Sequence, residues 1–273
     1  MYDRFRNRIM LPIFDHKGSI VAFGGRTIGD DDAKYINSSE TALYNKSHII
    51  LGLYLAKDAM RKTKSIILVE GYTDVIACHR LGIENVVAVS GTALTEEHVK
   101  LLKRYVERVI LCLDADQAGR QAAERAFALC TKEDVRVHVV RLSAKDPDEM
   151  SKAQPEQLTE LLQKEGVPYL DAVVEELAER DVRSATGKHE ALQMILPLLN
   201  IISSSVERSH YMSRVAALLG TTEVALKDDV ARIASAPAAP VEKQAEPQKK
   251  EGFSSIEVVL GLLLLHKESR DLL

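Results

Sequence analysis

Three short stretches of this chain carry carboxylates where a buried strand gives way to a turn. IILVEGYTD places Glu70 directly after an apolar run and Asp74 four positions later. VILCLDADQAG repeats the arrangement with Asp114 and Asp116, and KDPDE supplies Asp146 and Asp148 beyond a fourth apolar run. Residues two apart on an extended chain point to the same side. Asp114 and Asp116 therefore repel each other unless a cation lies between them. Carboxylate oxygens without histidine or thiolate neighbours suit a hard divalent ion, Mg²⁺ or Mn²⁺. The plainer alternative is that each carboxylate is a helix N-cap or a first-turn residue favoured by the helix dipole. Asp-x-Asp alone is a weak signal. A Glu-Gly-x-x-Asp strand end followed by Asp-x-Asp at a later strand end is a specific one.

The elements that must position these carboxylates follow from the hydrophobic period. Strand-like apolar runs occur at 66–69, 86–89, 109–113 and 135–140, with helical spacing over about 74–82, 95–107 and 117–131. Alternation of this kind predicts an α/β domain with a parallel sheet covered on both faces, which is why the strands are apolar throughout. Ligands of such sheets bind outside the carboxyl ends of the strands, near the reversal of strand order. Glu70 falls at such an end, and Gly71 permits the close turn after it. Before this region, LPIFDHKGSIVAFGG predicts a hairpin around DHKG, and residues 47–62 have helical spacing. Residues 155–234 are helical throughout, in three to five helices.

The expected division is residues 1–62, 63–150, 151–234, a flexible Pro-, Ala- and charge-rich linker at 235–252, and a helix start at 253–273. Hydrophobic content of 46% and charged content of 28% exclude a disordered chain, and a net charge of −4 gives no global sign of nucleic-acid binding. RFRNR at 4–8 is a local basic cluster, for which a solvated surface is the plainer reading. The longest apolar run, VVLGLLLL, is far short of the roughly 20 residues that span a membrane. No signal-peptide pattern is present at the start, so a cytoplasmic location without membrane association is expected. Cys78, Cys112 and Cys130 lack metal-ligand spacing and read as core residues.

EGYTD with DADQAG resembles the Toprim fold of bacterial primases, topoisomerases and some nucleases. The flanking RFRNRIMLPIFDHKGSIVAFGGR, KYINSSETALYNKS and KDPDE narrow the resemblance to the RNA-polymerase core of bacterial replicative DNA primases, over about residues 1–234. The resemblance implies a Toprim-type sheet preceded by part of a mixed α+β basic subdomain (1–62) and followed by a helical one. It implies that Glu70, Asp114 and Asp116 hold catalytic Mg²⁺ or Mn²⁺, with Asp74, Asp146 and Asp148 around them. It also implies a basic groove, formed in part by Arg6, Arg8, Arg26, Lys34, Tyr35, Asn37 and Lys46, for single-stranded DNA template and ribonucleoside triphosphates. The implied activity is synthesis of short RNA primers, with docking onto the replicative DNA helicase. The zinc-binding module of the family is not seen in this sequence, and zinc is expected only in such a missing N-terminal module. Residues 253–273 are expected to begin the helicase-binding domain, so the chain reads as a fragment.

Two function classes stay open: a primer-synthesising nucleotidyltransferase, and a non-catalytic fragment that binds metal and single-stranded DNA weakly. A phosphatase would carry Asp-x-Asp on its first strand, whereas here the strand of Glu70 precedes it. A topoisomerase would need a nucleophilic tyrosine in a separate large domain.

Overall fold

The structure, a computed structural model, describes residues 3–29 and 33–235. The expected linker beyond 235 and the expected helix at 253–273 lie outside the described residues. Strands β1 (Arg8–Phe14), β2 (Ile20–Thr27) and β3 (Tyr35–Asn37) form an antiparallel sheet in that order. The hairpin turn falls at DHKG as the spacing predicts. The Asp15 carboxylate accepts from Lys17 N at 2.8 Å and Ser19 N at 2.9 Å, and Gly18 takes φ +98, which a side chain would resist.

Helix α1 runs Leu53–Thr63, several residues later than its helical spacing begins. Residues Lys46–His48 make one isolated 3₁₀ turn, Leu51 pairs with Ala88, and Gly52 enters the helix at φ +81. Backbone pairing to the neighbouring sheet holds the chain extended where periodicity alone would coil it.

The second sheet contains β4 (Ser65–Val69), β5 (Val86–Ala88), β6 (Arg108–Leu111), β7 (Arg136–Val139) and β8 (Val167–Pro168), in the order β5-β4-β6-β7-β8. The first four are parallel and β8 is antiparallel at the edge. Helices α2 (Tyr72–Arg80), α3 (Glu96–Leu102) and α4 (Gln117–Lys132) make the crossovers. Then come α5 (Pro147–Ala153), α6 (Pro155–Gln163), α7 (Tyr169–Ala178), α8 (Ala185–Ile201), α9 (Ser205–Leu219) and α10 (Glu223–Ser235).

Successive residues of one strand feed two different cores. Ile66 and Leu68 join a cluster with α1, α3, α4 and α7–α9, whereas Ile67 and Val69 join one with α2, α5 and α6. Val109 and Leu111 divide from Ile110 and Cys112 in the same way. This is the double covering that all-apolar strands require. The three cysteines are buried and free; burial pushes the thiols of Cys78 and Cys130 up to about 12.

Ile67→Ala, at a fully buried position of the central strand β4, is expected to cost about 2–5 kcal/mol in urea unfolding. A loss well below that range would mean that the α2–α5–α6 face is loosely packed.

Candidate active site

The chain passes from β5 back across β4 to β6, so strand order reverses between β4 and β6. Glu70 follows β4 directly, and its Oε1 accepts a hydrogen bond from Asp114 N at 3.1 Å. That bond ties the loop after β6 to the end of β4. Pairing in β6 ends sooner than its apolar run: the strand stops at Leu111, and Cys112 N makes a last bond to Leu68 O at 2.9 Å. Asp114 and Asp116 therefore do not lie side by side on an extended strand, which corrects the expectation from spacing. Asp116 caps α4, its Oδ1 accepting from Gly119 N at 2.8 Å. Gly119 is required here, because a Cβ at this position would stand 2.1 Å from Asp114 O.

Asp74 lies in the first turn of α2 and is 6% exposed. Its carboxylate accepts from Gly71 N at 3.0 Å and from Asp148 N at 3.3 Å, linking α2 to α5. Gly71 has φ −135, an extended geometry open to any residue, so no left-handed turn explains it. Asp146 caps α5 through Glu149 N at 2.8 Å, and the Asp148 carboxylate pairs with Lys152 at 2.7 Å. The plainer reading from sequence thus describes part of what Asp116, Asp146 and Asp148 do.

Capping does not account for the electrostatics. Burial, then the charges of Glu70 and Asp146, push the Asp114 carboxyl up to about 6, opposed by Lys145 and raised further by Asp116. Burial raises Asp74 to about 6 against its two backbone donors, with Asp146 and Asp114 adding repulsion. The three strand ends thus feel one another's charge. Among the described residues, no three His, Cys, Asp or Glu side chains converge closely enough to enclose an ion. The donor set still fits a hard divalent cation: it is all carboxylate, and its mutual repulsion is what such an ion removes.

The β1–β3 sheet meets this site on the first turn of α2. Arg26 lies opposite Tyr35 across the β2–β3 pairing and donates to its hydroxyl at 3.0 Å. The Tyr35 ring lies parallel to that of Tyr72, with centroids 6.0 Å apart. Asn37 Oδ1 accepts from the Tyr72 hydroxyl at 2.8 Å, and its Nδ2 donates to Ser90 O at 3.2 Å. Gly24 and Gly25 make room for neighbouring side chains. A Cβ on Gly24 would stand 2.4 Å from the Tyr72 hydroxyl, and one on Gly25 would stand 2.7 Å from the Phe5 ring.

Arg8 donates to Ala33 O at 2.8 Å and Gly25 O at 3.3 Å, so its guanidinium braces the sheet. Arg6 and Lys34 are exposed, and Lys46 is half-buried beside Tyr72 and Ser90. The structure therefore brings Arg26, Tyr35, Asn37 and Lys46 to the carboxylate domain. Tyr72, Thr73 and Arg4 belong to the same surface and were missed: Tyr35 reaches Thr73 Oγ1 at 3.5 Å, and Arg4 Nε donates to Asn37 O at 3.1 Å. No local period could have shown contacts that span more than thirty positions. Asp114 also lines a cleft of about 1020 Å³ between the ends of β6 and β7 and helices α4, α7 and α8, with Leu113, Arg141, Tyr169 and Met194 among its walls.

Three family models match this chain. "Toprim-like" covers residues 67–151, "DNA primase catalytic core, N-terminal domain" covers 1–57, and "DnaB-helicase binding domain of primase" covers 174–223. The last falls on α7–α9, upstream of the segment at 253–273. A DNA primase of Pseudomonas putida is 40% identical over 225 residues, 80% of this chain and 34% of that protein. The crystal structure of a DNA primase domain from Pseudomonas aeruginosa superposes with a TM-score of 0.73 at 37% identity, covering 84% of this chain and 74% of that one. A DnaG primase catalytic domain bound to single-stranded DNA gives a TM-score of 0.70 at 31% identity, covering 82% and 73%. The chain spans about a third of the length of the curated relatives it first matches. No helix among the described residues is long and apolar enough to cross a membrane.

The raised carboxyls give a signed pH dependence. Asp74 and Asp114 hold protons in the folded protein up to about pH 6, and in the unfolded chain only to about pH 3.9. Their contribution to stability is full below the lower value and is lost as pH rises through about 6. In metal-free buffer the thermal midpoint of Asp114→Asn relative to the parent should therefore rise between about pH 4 and pH 7. A difference that stays flat across this window would contradict the assigned crowding.

Proposed function

The chain belongs to the bacterial DNA primase family, and we propose that it carries the catalytic core of a DNA-templated RNA polymerase that makes short RNA primers on single-stranded DNA. The observation that carries this reading is the set of mutually repelling carboxylates at three adjacent strand ends. Glu70, Asp114 and Asp116 would hold Mg²⁺ or Mn²⁺, with Asp74, Asp146 and Asp148 around them. When bound, such ions neutralise charge on the transferring phosphoryl group, favour ionisation of the attacking 3′-hydroxyl and stabilise the pyrophosphate that leaves.

The chain's own residues do the rest. Glu70 fixes the Asp114 loop through its backbone N–H. Asp74 holds the first turns of α2 and α5 together, so the outer carboxylates keep their spacing. Arg26, Lys34 and Lys46 would bind phosphates of the template and the incoming ribonucleoside triphosphate, which gives affinity without base reading. Asn37 is oriented by Tyr72 and Ser90, and Tyr35 stands as part of the groove wall against Tyr72. Arg6 would add charge at the groove's margin, and Arg8 would support the groove by bracing β2. Positioning and charge neutralisation are what phosphoryl transfer gains most from. Helices α7–α9 carry the match to the helicase-binding family and would contact the replicative helicase. Zinc belongs to a separate N-terminal module of the family, and action in the cytoplasm follows from the same reading.

One observation favours a second reading, a non-catalytic piece that binds metal and single-stranded DNA weakly: among the described residues the carboxylates do not converge closely enough to enclose an ion. One experiment separates the two. The chain is incubated with single-stranded template, ribonucleotides and Mg²⁺ or Mn²⁺, and products are resolved on a gel. Template-dependent oligoribonucleotides should appear. Glu70→Gln and Asp114→Asn should abolish them while leaving the circular dichroism spectrum unchanged. Gly119→Ala, which displaces Asp114 without removing a carboxylate, should reduce them at least about tenfold, as a small misplacement of reacting groups does. Absence of product together with measurable binding of Mn²⁺ and DNA would leave only the second reading.

A further inference from the structure

We propose that His98 is a positioning residue for nucleic-acid binding: its Nε2–H holds the main chain of Lys46 and so keeps that lysine at the groove beside Tyr72. The proposal rests on the reading of Lys46 as a phosphate-holding residue.

His98 is fully buried, and both of its ring nitrogens are engaged. It occupies the third position of α3, and Thr95 is the N-cap. Thr95 Oγ1 accepts from His98 N at 3.1 Å, and Thr95 N donates to His98 Nδ1 at 3.3 Å, closing a reciprocal capping box. A backbone N–H can only donate, so Nδ1 must present its lone pair and the ring proton must sit on Nε2. Nε2 lies 2.9 Å from Lys46 O. Thr95 Oγ1 meanwhile donates to Ser47 O at 2.8 Å. Two side chains from the first turn of α3 thus bind two successive carbonyls of the 46–48 turn.

The choice of histidine carries the argument. A capping box needs only an acceptor at this position, and glutamate supplies one. A carboxylate has no proton to donate outward to a second backbone segment, and a neutral imidazole does both from one rigid ring. Burial lowers this imidazole's affinity for a second proton. The segment it grips needs such support. A single 3₁₀ turn is a weak element by itself, and this one is otherwise fixed by the Asn45 cap on Ser47 N at 2.9 Å and by Glu40, which accepts from Lys46 N at 3.2 Å. Lys46 is therefore held at its N–H by Glu40 and at its carbonyl by His98. Its side chain lines the small space between Ile13, Tyr44, Tyr72 and Ser90.

The test is a double-mutant comparison on the full chain, read by fluorescence anisotropy with an oligodeoxythymidine about 16 nucleotides long over a salt series. Lys46→Ala should weaken binding and reduce the slope of log affinity against log salt by about 0.7, the amount for one lost phosphate contact on a single strand. His98→Leu should reproduce part of that reduction and add nothing in the Lys46→Ala background. His98→Gln, whose amide both accepts and donates, should restore the slope. A burial role alone would be satisfied by leucine and would leave the slope unchanged. If circular dichroism shows that His98→Leu does not fold, Thr95→Val, which removes the adjacent strap to Ser47, replaces it in the same cycle. An unchanged slope in Lys46→Ala overturns the reading of the groove and the proposal with it. A reduced slope in Lys46→Ala beside an unchanged one in His98→Leu, or additive effects in the double variant, overturns the positioning role alone.

Discussion

Three adjacent parallel strands, β4, β6 and β7, end at one edge of a sheet, and each runs on into carboxylates. A parallel sheet leaves no alternative to this convergence, because all of its strands deliver their carboxyl ends to the same side. The cost is electrostatic. Asp74 and Asp114 are both raised to about 6 by burial and by carboxylate neighbours, with Lys145 opposing the shift at Asp114. Much of the local structure serves to hold that crowding. Glu70 grips the Asp114 loop by its N–H, Gly119 lets α4 begin against Asp114 O, and Asp74 bridges two helix starts. Surroundings that fix like charges near one another suit the binding of a counterion, and they explain why removing one charge should stabilise the metal-free fold.

Helix α2 joins this edge to the β1–β3 sheet. Its first turn contributes Asp74 to the carboxylates and presents Tyr72 and Thr73 to Asn37 and Tyr35. The β1–β3 sheet is thereby registered to the carboxylates through a single helical turn rather than a long lever. The 46–48 turn is bound by α3, so both crossovers that begin on the β4–β5 half of the sheet hold segments of the first 62 residues.

Much of this was legible in the sequence, for reasons that differ between elements. The strands of the parallel sheet are apolar because both faces are covered, and that pattern survives in one dimension. The end of β6 did not: Cys112 and Leu113 stay apolar because they pack, although ladder pairing has stopped at Leu111. The start of α1 was hidden by Leu51 pairing with Ala88, a contact no local period encodes. Strand β8, two residues ending in proline, carries no strand signal. The six acidic positions were visible from residue type and spacing. Their division into caps (Asp116, Asp146) and crowded carboxylates (Asp74, Asp114) required coordinates. The proposed basic groove rests on family resemblance, whereas the hydrogen bonds of Tyr72 and His98 join segments too distant for any local pattern to reveal.

The central claim is that the strand-end carboxylates repel one another and that a divalent ion relieves the repulsion. Carbon-13 NMR titration of the aspartate carboxyls, with and without saturating Mg²⁺, tests it directly. Without metal, Asp74 and Asp114 should each titrate near pH 6. With metal, Asp114 should fall to about the ordinary aspartate value of 3.9 or below. Titration of both carboxyls near the ordinary value in metal-free buffer, or an Asp114 midpoint that Mg²⁺ leaves unmoved, would contradict it.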